Sequence, residues 1–143
     1  LLDNLPLAAD DVVADIGAGT GYFSLPIAAR VPRGRVLAVD IQQEMLDIVA
    51  DRSRVAGIRN VDPVLATETD PGLPAGGVDL VLMVDAYHEF SHPREVMTGI
   101  VRGLRSGGRM VLMRSGEVAL EGDARELVKG DALKKAYFGY GDH

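Results

Sequence analysis

The stretch richest in chemistry is Asp15-Ile16-Gly17-Ala18-Gly19-Thr20-Gly21, three glycines at alternate positions behind an acidic residue. Glycines spaced this way let the chain turn sharply and let a ligand approach the backbone where a Cβ would block it. If a helix follows, its first amides add free donors. A nicotinamide or flavin fingerprint would read G-x-G-x-x-G and cradle a pyrophosphate. Here the third glycine comes one position early, and a carboxylate at Asp15 suits a cationic ligand better than a pyrophosphate. A second acid, Asp40, ends the run Val36-Leu37-Ala38-Val39-Asp40, nineteen residues after Gly21. At the end of a strand it can accept hydrogen bonds from both ribose hydroxyls of an adenosine group. Each feature alone has a plainer reading, a tight turn for the glycines and a helix cap for the acid. Together, on consecutive strands, they point to an adenosine-containing ligand.

A different chemistry is spelled by His88-Glu89-Phe90-Ser91-His92, the H-E-x-x-H of zinc hydrolases, in which two histidines one helical turn apart bind the metal. That motif works only on a continuous helix. These residues directly follow an apolar strand, and Pro93 biases His92 away from helical dihedrals. No bound metal is therefore expected; the zinc alternative would need Glu117, Glu121 or His143 as its third ligand. The competing reading makes Asp85, Tyr87 and His88 the floor of a substrate pocket at the carboxyl edge of a sheet, where open α/β sheets bind ligands. Tyr22, Phe23, Tyr87 and Phe90 lie in or beside the two motif loops and could line that pocket. The bland alternative is that Phe23 and Phe90 pack between helices and His92 starts the next helix.

The elements that must hold these residues alternate short apolar runs with longer helical ones, the pattern of an α/β fold with a largely parallel sheet. Val12 to Ile16 reads as the first strand and Arg35 to Asp40 as the second. Between them a helix carries Leu25, Ile27 and Ala28, with Pro26 early enough to be tolerated. A helix from about Gln42 to Ala56 has Met45, Val49, Arg52 and Ala56 at helical spacing and Gly57 as its stop. Val61 to Ala66 is the third strand, Thr67 to Gly77 a loop, and Val78 to Asp85 the most apolar and hence a central strand. Val96, Met97, Ile100, Val101 and Leu104 mark one helix face, which Ser106, Gly107 and Gly108 end before a strand from Arg109 to Met113. Beyond Arg114 the pattern weakens. Ala124, Leu127, Val128, Ala132 and Ala136 suggest a helix that Gly130 interrupts, and no strand pair is evident.

The chain has 143 residues, enough for one domain. It has no cysteine, which excludes disulfides, thiolate ligands and a thiol nucleophile. Fifteen Lys plus Arg against twenty-one Asp plus Glu leave a net charge of −6, so no nucleic-acid partner and no attraction to anionic lipid are expected. The longest apolar run, Leu80 to Val84, falls far short of the ~20 residues that span a bilayer. No signal-peptide pattern is present and the first residue is not Met, so the expectation is a cytoplasmic protein of which this chain is a fragment.

The segments VVADIGAGTGYFSLPIAA (Val12 to Ala29), AVDIQQEML, DLVLMVDAYHEF and LRSGGRMVLM resemble, in order and spacing, the four signature segments of class I S-adenosylmethionine-dependent methyltransferases. The chain is most similar to the small-molecule group that includes the ubiquinone and menaquinone methylating enzymes, over residues 11 to 113. The resemblance implies a Rossmann-like, doubly wound, mostly parallel sheet with flanking helices, and S-adenosyl-L-methionine as cofactor. It implies that Asp15, Gly17, Gly19 and Gly21 line the methionine end of the cofactor, that Asp40 binds the ribose, and that Ile41 lies against the adenine. Thr67, Glu68 and Asp70 fall where the family places a polar contact to the adenine amine, and Asp85 would face cofactor and substrate. Ser106 departs from the family's usual Pro before the paired glycines.

The implied activity is methyl transfer to a small-molecule acceptor by in-line displacement, with alignment and exclusion of water supplying much of the rate. A hydroxyl or phenol acceptor needs a base, and His88 is the candidate because its ordinary pKa lies near neutrality; Tyr87 or His88 could orient the oxygen of an enolisable acceptor. Two alternatives stay open: a non-catalytic module binding the cofactor or its demethylated product, and an NAD(P)-dependent oxidoreductase, which the glycine spacing disfavours. The family sheet has seven strands, and the 29 residues after Arg114 are too few for a helix and two more strands, so the last two are expected to be missing.

Overall fold

The computed structural model describes residues 2–84, 86, 90–115, 117–127 and 129. After a short 3-10 turn at Leu2–Asn4, the chain runs β1 (Val12–Ile16), α1 (Ser24–Arg30), β2 (Arg35–Asp40), α2 (Gln43–Ala56), β3 (Val61–Leu65), β4 (Val78–Val84), α3 (Pro93–Gly103), β5 (Leu104–Arg114), β6 (Glu117–Asp123) and α4 (Ala124–Leu127). The six strands form one sheet in the order β3-β2-β1-β4-β5-β6. β1 to β5 are mutually parallel, and β6 returns antiparallel to β5. Because β2 and β4 both flank β1, the strand order reverses there, and the crevice over the carboxyl ends of β1 and β4 is where such sheets bind ligands.

Both faces of the sheet are covered, which is why its inner strands are almost wholly apolar. Leu80, Leu82, Val111 and Met113 point to one side with Ile27, Ala28 and Val31 of and after α1. Val81, Met83, Met110 and Leu112 point to the other with Val96, Met97 and Ile100 of α3. Successive strand residues face opposite ways, so a run such as Leu80 to Met83 serves both layers. Each fully buried side chain of this size contributes about 1.5–3 kcal/mol, and β4 supplies Leu80, Leu82 and Met83. Val49 of α2 joins Ala18, Leu25 and Ala38, placing α2 on the α1 side.

Three expectations need correction. The buried residues of α2 are Leu46, Val49 and Ser53, while Arg52 and Ala56 are exposed, so the stripe is rotated from the one the spacing suggested. β5 begins at Leu104, not Arg109. Val78 pairs with Leu104 but Leu80 with Arg109, so Arg105 to Gly108 bulge out within the strand rather than ending the helix. The bulge is held by the Arg105–Asp79 ion pair, while the other Asp79 oxygen accepts the Val12 amide at 2.8 Å. A sixth strand exists where none was expected. Its Glu117-Val118-Ala119-Leu120 pairs with the end of β5, with Ser115 at φ 53° in the two-residue connection. Being an edge strand with mostly exposed side chains, it carries too few apolar residues to announce itself. The helix expected after it is observed as the short α4; Val128, Ala132 and Ala136 lie outside the described residues.

The remaining elements fall where the sequence puts them. β3 is the opposite edge, which explains how Pro63 sits within it without removing a hydrogen bond from the interior of the sheet. Gly57 ends α2 in the left-handed conformation, its amide donating to the Arg54 carbonyl at 3.2 Å. Among the described residues no helix is long and apolar enough to cross a membrane.

Candidate active site

The glycine loop leaves β1 and is pinned at once to the neighbouring strand. The amides of Gly17 and Ala18 both donate to the Val39 carbonyl, at 2.8 and 2.9 Å. Gly17, Gly19 and Gly21 all have positive φ, at 74°, 58° and 86°. They answer to different constraints. A Cβ on Gly19 would meet nothing, because it would project into open space over the sheet. A Cβ on Gly21 would come within 2.8 Å of Leu25 Cδ1 and 3.2 Å of Val49 Cγ2. Gly19 therefore leaves open space beside the cleft, whereas Gly21 is required by the packing of α1 and α2.

The Gly19 amide donates to Asp40 Oδ2 at 2.9 Å, and the Gln42 amide to Asp40 Oδ1, also at 2.9 Å. Asp40 thus ties the loop to β2 and shapes the entry to α2, while each oxygen keeps a further acceptor position. Asp40 is not a helix cap, since the N-cap of α2 is Gln42 and no side chain bonds the first-turn amides. A cleft of about 510 Å³ opens beside it, lined by Gly17, Gly19, Asp40, Ile41, Thr67 and Glu68 among the residues foreseen from sequence. This is within the size range of small-ligand sites, roughly 300–1,000 Å³. Ile41 stands 55% exposed, a large apolar side chain left uncovered at the cleft wall.

Three expected residues do not reach the wall. Asp15 is only 2% exposed and lies beneath the loop, where Ser24 Oγ donates to its Oδ2 at 2.7 Å. Desolvation by burial raises its pKa from 3.8 to about 6, the Ser24 hydrogen bond opposes that shift, and the Asp40 charge adds to it. Gly21 is buried in packing. Asp70 does not line the cleft either; its Oδ1 accepts the Gly72 amide and its own amide donates to Thr67 Oγ1, so it shapes the turn that presents Thr67 and Glu68.

Asp85, Tyr87, His88 and Glu89 lie outside the described residues. Their described neighbours Val84, Ala86, Phe90 and Ser91 all line the cleft. Phe90 also packs on the core beside α3, so its two readings coexist. Phe23 packs on the α1 layer and meets Tyr22 edge to face at 4.9 Å, while Tyr22 is 73% exposed; neither lines the cleft. α3 starts at Pro93, and His92 before it has φ −130° and ψ 68°, so the second histidine of H-E-x-x-H is not on a helix.

Sequence reasoning missed Gln42, Met45, Ala66, Pro71 and Val96 as cleft residues. Gln42 and Met45 had a signal, since they lie at the start of the helix that follows Asp40. Pro71 and Val96 had none, because only the packing of α3 against the loop after β3 brings them there. Ser24 and Arg52 were missed too: Arg52 Nη1 donates to the Thr20 carbonyl at 2.6 Å.

A parallel sheet reversing at β1, with a glycine loop and a strand-end acid facing one cleft, defines the Rossmann-like fold of class I S-adenosylmethionine-dependent methyltransferases. Comparison with known proteins carries this to the family: residues 13–108 match the family described as "Methyltransferase domain", and the chain belongs to it. It is 31% identical over 113 residues to an uncharacterized methyltransferase-like protein of Schizosaccharomyces pombe, covering 79% of this chain and 41% of that one. It is 30% identical over 103 residues to the ubiquinone/menaquinone biosynthesis C-methyltransferase of Ectopseudomonas mendocina, covering 71% and 40%. A SAM-dependent methyltransferase of Aquifex aeolicus superposes with a TM-score of 0.69 at 26% identity, over 71% of this chain and 55% of that one. The chain therefore spans about two fifths of the length of the curated relatives it matches. S-adenosyl-L-methionine is the cofactor of this family.

Proposed function

We propose that this domain binds S-adenosyl-L-methionine in the cleft above β1, β2 and β4 and serves methyl transfer to a small-molecule acceptor. The observation that carries the reading is the bond from the Gly19 amide to Asp40, at a glycine whose missing Cβ leaves the cleft open. The chain's residues fit the cofactor. Asp40 and Glu68 are the charged residues among the described lining, both acidic, and suit a ligand with cationic centres. The spare acceptor positions of Asp40 suit a ribose diol, and exposed Ile41 suits the face of a base.

When bound, the cofactor supplies a methyl group on a sulfonium, which an acceptor takes as the carbon–sulfur bond breaks to leave a thioether. Gly17 and Gly19 would permit close backbone approach of the cofactor, Asp40 would hold the ribose, and Thr67 and Glu68 would serve the adenine edge. Of the residues beside the described lining, Asp85 is assigned to the cofactor and substrate, His88 is the base for a hydroxyl or phenol acceptor, and His88 or Tyr87 would orient the oxygen of an enolisable one. Val84, Ala86 and Phe90 keep water from the centre.

The reading is tested by thermal shift with S-adenosylmethionine, S-adenosylhomocysteine, NAD and NADP. A ligand at a hundred times its Kd adds about 2.7 kcal/mol. Stabilisation by the first two alone is expected, and stabilisation by NAD alone would overturn it. A methyl-donor consumption assay against quinols, phenols and amines then separates an enzyme from a binding module.

A further inference from the structure

We infer that Arg52, outside the cleft, is a positioning residue that holds the glycine loop in its ligand-binding shape; this rests on the cofactor reading above. Arg52 sits in the third turn of α2, thirty-two residues beyond the loop, and its guanidinium donates to the Thr20 carbonyl at 2.6 Å. The loop's own backbone bonds run from Gly17 and Ala18 to Val39, from Gly21 to Ala18, and from Leu25 to Gly21. None of these uses the Thr20 carbonyl. Two side chains therefore hold the loop: Asp40, in the cleft lining, accepts from the Gly19 amide, and Arg52, outside that lining, donates to the Thr20 carbonyl.

Those two bonds bracket the peptide linking Gly19 to Thr20. Three residues of left-handed φ within five positions make this the part of the chain with the most backbone freedom to lose. A charge-assisted bond from a regular helix removes much of that freedom before a ligand arrives. The same helix reinforces it, since Val49, one turn before Arg52, packs where a Gly21 Cβ would sit. α2 is thus joined to the loop at Val49 and Arg52 and to the cleft at Met45, so loop shape and cleft shape are set by one rigid element. Arg52 itself touches no ligand; it acts through Thr20 and Gly19.

The test compares wild type, R52A and R52K by calorimetric titration with S-adenosylhomocysteine and S-adenosylmethionine, together with thermal unfolding and hydrogen exchange of the ligand-free amides of residues 18–22. Arg52 is exposed and alanine favours a helix, so R52A is expected to fold with its melting temperature within a few degrees of wild type. Its affinity for both ligands should fall on the order of 5- to 10-fold, with faster exchange confined to the loop, and R52K should recover part of both. Unchanged affinity and unchanged loop exchange in R52A would overturn the inference while leaving the cofactor reading intact. Equal loss of affinity and of global stability would also overturn it, by making Arg52 a general structural residue. A wild-type chain that binds neither ligand defeats the cofactor reading instead, and the positioning role with it.

Discussion

Asp15 is a place where the site costs the fold stability, and the cost can be measured. Its carboxyl is buried, accepts a bond from Ser24 Oγ and lies within the field of Asp40; its pKa rises from 3.8 to about 6. Because the folded state holds this proton more tightly than the unfolded state, the group's stabilisation is complete below about pH 4 and is lost as pH rises through 6. The full span is 2.2 pH units, or about 3 kcal/mol. Between pH 5 and pH 7.5 the linkage relation gives a loss of about 1–2 kcal/mol. D15N keeps the shape and an acceptor for Ser24 but cannot titrate. Urea unfolding of both proteins at the two pH values isolates the group together with its coupling to Asp40, since carboxylates that do not interact with Asp15 cancel in the difference. The stability of D15N minus that of wild type should increase by about 1–2 kcal/mol on going from pH 5 to pH 7.5. No increase, or a decrease, would refute the assignment of a desolvated carboxyl at this position.

Other perturbations separate ligand effects from folding effects within the same loop. G19A should cost about 1 kcal/mol for the left-handed backbone and melt a few degrees lower, yet lose S-adenosylhomocysteine binding, measured by titration. G21A adds clashes with Leu25 and Val49 to the same backbone strain and should cost about 2–4 kcal/mol in chemical unfolding. D40A should weaken cofactor binding by about 1–3 kcal/mol, with D40N intermediate, and an unchanged Kd would remove Asp40 from the site. Treatment with a metal chelator should change neither the melting temperature nor ligand binding, because α3 begins after His92; a stoichiometric zinc content by elemental analysis would contradict this.

Local sequence determined what depends on local chemistry. The runs that became β1, β2 and β4 are apolar because both faces of an inner parallel strand are buried, so Leu80 to Met83 could be recognised without knowing its neighbours. The glycine spacing and Asp40 likewise carried their meaning in residue type, since glycine adopts positive φ most freely and a carboxylate offers two acceptor oxygens. What depends on distant partners was out of reach. The β5 bulge rests on Asp79, twenty-six residues away, holding Arg105. β6 exists because β5 offers it an edge, not because its own residues are apolar. Asp15 looked like a wall residue from its place in the motif, but Ser24, brought up by the turn into α1, draws it under the loop. Arg52 looked like one more residue of a helix stripe until the packing of α2 set it beside Thr20. Sequence alone therefore determined which residues could meet an adenosine-bearing cation. The tertiary structure decided which face the cleft and which hold the loop behind it, because that division follows from how α1 and α2 pack on the sheet.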